Sequence, residues 1–248
     1  MPKFKLTLEY DGSPFCGWQR QGETQPLPSV QQTLEDAILK FSGETVNLQV
    51  AGRTDAGVHA LAQVAHVDLA REISPGEIQG ALNFHVKPHP VAVLKVESVG
   101  DDFHARMSAK ARHYTYRIIN RRAPLALDHN RAWHVPIQLD ETAMQAAANH
   151  LLGHHDFTSF RAADCQAKSP LKTLDRFDIV RHGDDIDCHV SARSFLHHQV
   201  RNMVGTIALA GRGKWQPDDV KKALDACDRS AAGPTAPPDG LFFIRVDY

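Results

Sequence analysis

A chain of 248 residues has room for two domains of roughly 100 to 150 residues, and its composition, 42% hydrophobic and 23% charged, excludes a disordered chain. A formal charge of −1 excludes a uniformly basic protein, although a basic face can be cancelled by acidic groups elsewhere. No apolar run approaches the roughly 20 residues of a membrane span, and the N-terminus enters a strand pattern without a signal-peptide core, so a cytoplasmic protein with no membrane partner is expected. Cys16, Cys165, Cys188 and Cys227 form no CxxC pair and read as reduced thiols.

In chain order, Phe4, Leu6, Leu8 and Tyr10 alternate with polar residues and predict a half-buried strand. Val30, Leu34, Ala37, Ile38 and Phe41 share a helical face, with Ser29 as N-cap and Gly43 as terminator. Val46, Leu48 and Val50 predict a second strand, and residues 61–69 a third. Ser74-Pro75-Gly76-Glu77 carries the signature of a helix start, a proline at the first position and a capping-box acid, and residues 91–97 predict a fourth strand. The order β-α-β-β-α-β then recurs. A strand is predicted over 113–119, a helix from Asp140 to Leu152, and strands over 174–181 and 186–195 joined at His182-Gly183-Asp184-Asp185. Helices are predicted over 197–210 and 217–227 and a last strand over 241–246.

This doubled order predicts an α+β chain of two ferredoxin-like units with mixed, mainly antiparallel sheets, residues 1–108 and 109–248. If the sheets join into one extended sheet, their helix-free faces offer a central cleft suited to RNA. The groups aimed there are unusual. Between two predicted strands stands AGRTDAGVHA, residues 51–60, in which Gly52 and Gly57 bracket Arg53 and Asp55 and His59 closes the run. An aspartate between glycines is commonly a turn former, but a plain turn needs neither Arg53 nor His59. Tyr114 on its strand can project a ring toward the cleft, and Arg201 borders the apolar stripe of its helix. Residues 106–122 carry Arg106, Lys110, Arg112, Arg117, Arg121 and Arg122 with no acid, which reads either as a solvated strand face or as a phosphate-contacting stretch.

The runs YDGSPFCGWQRQ (10–21), GRTDAGVHA (52–60), DDFHAR (101–106), KARHYTY (110–116), HDFTSFR (155–161) and FLHHQVRNMVG (195–205) occur in that order. Together they resemble the tRNA pseudouridine synthase A family along nearly the entire chain. The resemblance implies an isomerase acting on uridines 38 to 40 of the tRNA anticodon stem-loop, a homodimer, and no metal or organic cofactor. It also implies roles: Asp55 as the catalytic aspartate, Arg53 and Arg201 as its supporting cations, and Tyr114 as the ring that packs on the target base. Trp18, Arg20, His59, Phe157 and Arg161 fall in segments that would line the RNA path. Two other readings stay open on the residues alone. A catalytically silent RNA-binding protein of the same fold leaves the Asp55 loop without a purpose. A metallohydrolase is prompted by 15 histidines, yet His154-His155 and His197-His198 lack the i, i+4 spacing of a helical ligand pair.

Overall fold

The structure is a computed structural model and describes residues 1–22 and 26–248. It is a mixed α+β, mainly antiparallel protein with five α-helices among the described residues. Two compact units divide it, residues 1–112 with 243–248, and residues 113–242.

In the first unit, β1 (Lys3–Tyr10) pairs antiparallel with both β3 (His59–Asp68) and β4 (Val91–Val99), and the short β2 (Gln49–Val50) pairs with the far side of β3. The expected strand over 46–50 shrinks to two residues because a side chain claims its backbone: Leu48 N donates to Glu35 Oε1 at 3.0 Å. Leu6 and Leu8 of β1 are fully buried with Leu34 and Ile38 of α1 (Val30–Ser42), which Ser29 caps through Gln32 N and Gly43 ends at φ 77°. The capping box at Ser74 and Glu77 forms and starts α2 (Pro75–His85). From α2, Gln79 and Asn83 bond Val93 and Leu94, satisfying backbone groups of β4 that no second strand pairs.

The second unit holds β5 (Ala111–Ile119), whose first two residues lie in the first, then β9 (Asp185–Ala192), β8 (Leu171–His182) and β7 (Gly153–Asp156) in that spatial order, with β6 (Trp133–His134) parallel to β5. The predicted hairpin turn is present: His182 faces Asp185, and Gly183 sits at φ 63°. Asp140 caps α3 (Glu141–Asn149), and Gln145 of that helix bonds Phe177 O and Ile179 N of β8. α3 stops three residues before the expected end, and β7 follows directly. α4 (Gln199–Gly211) starts two residues late because His198 is left-handed at φ 61°, and α5 (Pro217–Asp225) follows.

The chain end departs from the expected division at residue 108. β10 (Leu241–Asp247) begins in the second unit, but residues 243–248 pack in the first. Lys110 N donates to Asp247 O at 2.8 Å, Tyr248 OH donates to Ala105 O at 2.8 Å, and the Tyr248 and Phe103 rings lie 5.0 Å apart.

Candidate active site

The Asp55 loop runs from β2 to β3, with residues 53–55 in neither helix nor strand. Its side chains alternate: Thr54 is buried, while Arg53 is exposed and Asp55 half-exposed. The expected Arg53–Asp55 ion pair is not formed, and Arg53 has no ion pair among the described residues. A guanidinium on this outward side gains full hydration, whereas a pair exposed to water gains little. Residues 55–58 close a turn with Val58 N donating to Asp55 O at 3.2 Å and Gly57 at φ 79°, so Gly57 is a turn former in the sense a type II turn requires.

Beneath the loop lies a polar cluster that sequence reasoning missed. Thr54 Oγ1 lies 2.8 Å from Tyr10 OH, and Gln63 Nε2 donates to Gly52 O at 2.8 Å and approaches Tyr10 OH at 3.4 Å. Burial pushes the Tyr10 phenol up to about 12, against small opposing effects of Gln63 and Thr54, so it stays protonated at any working pH. A register shift between Leu8 and Tyr10 in the β1–β3 ladder falls at this point: Leu8 faces Gln63 and Tyr10 faces Ala60. Such a bulge re-aims side chains beside a site. Arg112, counted in the basic run, is buried and donates from Nη2 to Ala51 O at 2.8 Å and to Arg106 O at 2.7 Å. It anchors the start of the loop and is unavailable to phosphate. The signal in the sequence was weak: Gln63 stands among apolar neighbours in a core strand, and Tyr10 falls in register with Phe4, Leu6 and Leu8.

The other side of the loop is held by residues 11–18. Trp18 N donates to Thr54 O at 2.9 Å, and Gly17, at φ 106°, leaves no room for a Cβ, which would stand 2.8 Å from Thr54 O. His59 is buried; its Nδ1 accepts from Gly12 N at 3.1 Å and lies 3.2 Å from Asp11 Oδ1. His59 thus ties the loop to the 11–12 turn.

Two further residues expected on the RNA path are buried. Trp18 is 1% exposed, with its ring 6.2 Å from that of Tyr10, and Phe157 is fully buried, 6.2 Å from Phe160; neither offers a face to a base. Arg20 is half-exposed and salt-bridged to Glu35 at 3.3 Å, and Arg161 is bound to the carbonyls of Cys165 and Ala167. Both heads are engaged in local structure. Of the remaining basic run, Arg117 pairs with Asp128 and Asp185 and Arg121 with Asp184, while Arg106, Lys110 and Arg122 are exposed and in no ion pair among the described residues.

In the second unit, Tyr114 is half-buried near the start of β5 and meets Phe195 edge-on at 5.2 Å. It shares the side of the strand with buried Tyr116 and Ile118, not the side of His113 and Thr115, which contact Ser191 and His189. Arg201, in the first turn of α4, donates from Nε to Ala236 O at 2.9 Å while its own carbonyl accepts from Ala236 N at 3.1 Å. These bonds hold the side chain's stem along the 234–237 segment.

Comparison with known proteins places this arrangement. The family described as tRNA pseudouridine synthase matches residues 7–108 and 147–248, including the Asp55 loop and Arg201. Three curated relatives, each named tRNA pseudouridine synthase A, align over all 248 residues. The protein of Rhodospirillum centenum is 61% identical and matched over its full length. That of Paramagnetospirillum magneticum is 58% identical over 96% of its length. That of Rhodopseudomonas palustris strain BisA53 is 57% identical over its full length. With both halves matched and identity this high from end to end, the chain belongs to the tRNA pseudouridine synthase family.

Proposed function

We propose that this protein isomerises uridine to pseudouridine at positions 38, 39 and 40 of the tRNA anticodon stem-loop, with Asp55 as the reacting carboxylate. The observation that carries the reading is the family match along the chain together with a half-exposed carboxylate on a loop whose backbone is tied down on both sides.

The reaction breaks the N1–C1′ bond, turns the uracil and joins C5 to C1′. C5 gives up its proton and N1 gains one, so the nucleotide's formula and oxidation state are unchanged, and the protein has to supply binding, reorientation, proton transfer and a carboxylate that can act reversibly. An ionised carboxylate is a competent nucleophile or base at such a centre. Asp55 takes this role, and Arg201 is the supporting cation that the family resemblance assigns to it. The uracil must first leave the stack, at a cost of a few kcal/mol. Stacking on an aromatic ring returns about 1–3 kcal/mol, the role of Tyr114. Arg53, exposed beside Asp55, reaches toward the RNA and not toward the carboxylate. Exposed Arg106, Lys110 and Arg122 supply phosphate contacts, which position the stem-loop without reading its sequence.

The antiparallel run β4-β1-β3, with the two-residue β2 paired to β3, supports a ferredoxin-like reading of the first unit, with the second unit a variant enlarged by β6 and β7. A homodimer working in the cytoplasm without cofactor belongs to the same proposal. The test is to incubate the purified protein with an unmodified tRNA transcript and map pseudouridine by position. Product at 38–40 is expected; tight binding without any pseudouridine would favour the silent RNA-binding reading.

A further inference from the structure

Thr54, Tyr10 and Gln63 put three polar side chains where a strand-packed core would accept apolar ones. Gln63 is fully buried and Tyr10 is 3% exposed. A buried polar group costs free energy unless its hydrogen bonds are made, and here they are: Gln63 Nε2 reaches Gly52 O and Tyr10 OH, Gln63 Oε1 accepts from Val64 N at 3.2 Å, and Tyr10 OH meets Thr54 Oγ1. The bonds fall on alternate residues of the loop. Gly52 is held by its carbonyl, and Thr54 by its hydroxyl below and by its carbonyl, which Trp18 N binds, above. The residues left between and beyond these anchors, Arg53 and Asp55, turn outward. A network that fully satisfies itself specifies one conformation, and a core of Phe, Val and Leu at the same positions would pack without doing so.

We propose that Tyr10, Thr54 and Gln63 form a positioning device that fixes the backbone on the N-terminal side of Asp55 and thereby aims its carboxylate in the isomerisation. The inference rests on the reading of Asp55 as the reacting group. None of the three touches the nucleotide; they act through the loop. The bulge that brings Tyr10 opposite Ala60 is what lets a residue of the core face of β1 reach Thr54. A displacement of about 1 Å at a reacting group costs on the order of 100-fold in rate, so loosening the loop is expected to be felt in the chemical step and not in the affinity for tRNA.

The experiment measures kcat, KM and Tm for Tyr10→Phe, Thr54→Val, Thr54→Ser and the double variant Tyr10→Phe/Thr54→Val, with tRNA as substrate. Each single removal of the hydroxyl contact leaves the other hydroxyl buried without its 2.8 Å partner, so Tm falls and kcat drops about 10- to 100-fold with KM near that of the unaltered protein. Thr54→Ser keeps the contact and restores most of kcat. In the double variant both partners are apolar, so Tm recovers toward the starting value while kcat stays low and no lower than in the singles. Thr33→Val, which removes a buried hydroxyl bonded to Ser29 O in α1, lowers Tm and leaves kcat alone. Single variants within twofold of the starting kcat, or a double variant whose activity recovers together with its Tm, would overturn the inference. Asp55→Asn run alongside separates the two readings: an active Asn variant sinks the role of Asp55 itself, whereas an inactive one beside fully active Tyr10 and Thr54 variants sinks only the positioning device.

Discussion

At the scale of single residues, the site divides into groups that face outward and groups that hold them. Tyr114 is the outward group with the clearest two-way test. Its ring is half-buried against Phe195, so replacing it by Phe retains both that contact and a stacking face, while Leu retains neither geometry. Tyr114→Phe is therefore expected to keep most activity and Tyr114→Leu to lose 10-fold or more, measured as single-turnover rate on tRNA. Equal losses in both variants would assign the work to the hydroxyl instead. Trp18 and Phe157 mark the opposite case. Their motifs suggest RNA contacts, and their burial makes them core residues whose loss acts through packing.

At the scale of elements, helix caps and strand edges keep the first unit in register. Ser74 accepts from Glu77 N and the Glu77 carboxylate accepts from Ser74 N, while Gln79 and Asn83 farther along the same helix hold β4. Ser74→Ala is expected to lower stability by about 1 kcal/mol in urea unfolding and to leave pseudouridine formation unchanged, since α2 carries no group of the proposed site. These caps were legible in the sequence because their signals are local: Ser29, Gly43, Ser74-Pro75 and Asp140 each act within four residues. Elements governed by distant side chains were not. The 46–50 strand is cut short by Glu35, which lies 13 positions before Leu48, and α4 starts late because His198 turns left-handed. The candidate site shows the same split. Asp55 stands in a glycine-bracketed run that can be read directly, but Tyr10, Gln63 and Arg112 reach it across 44, 11 and 61 positions, and no local pattern marks them.

At the scale of the whole molecule, the buried imidazole of His66 contributes to acid sensitivity. His66 on β3 accepts from Ala105 N at 3.1 Å through Nδ1, and its pKa is lowered, first by burial and then by the nearby charges of His104 and Lys3, with Asp68 opposing. A histidine held neutral in the folded state takes up its proton more readily when unfolded, so stability is full above the ordinary histidine range near 6.5 and declines as pH falls below it. The Tm is expected to drop between pH 7.5 and 5.5, and His66→Asn, which places an amide oxygen near the Nδ1 position, to lose part of that slope; an unchanged slope would remove His66 from the account. The reaction proposed here depends above all on one carboxylate on a tied loop. Tritium release from 5-tritiated uridine in tRNA measures that chemistry directly, compared between the unaltered protein and Asp55→Asn at matched tRNA occupancy. Release is expected from the former and none from the latter with tRNA binding retained; release by the Asn variant at a comparable rate would rule out Asp55 as the reacting group.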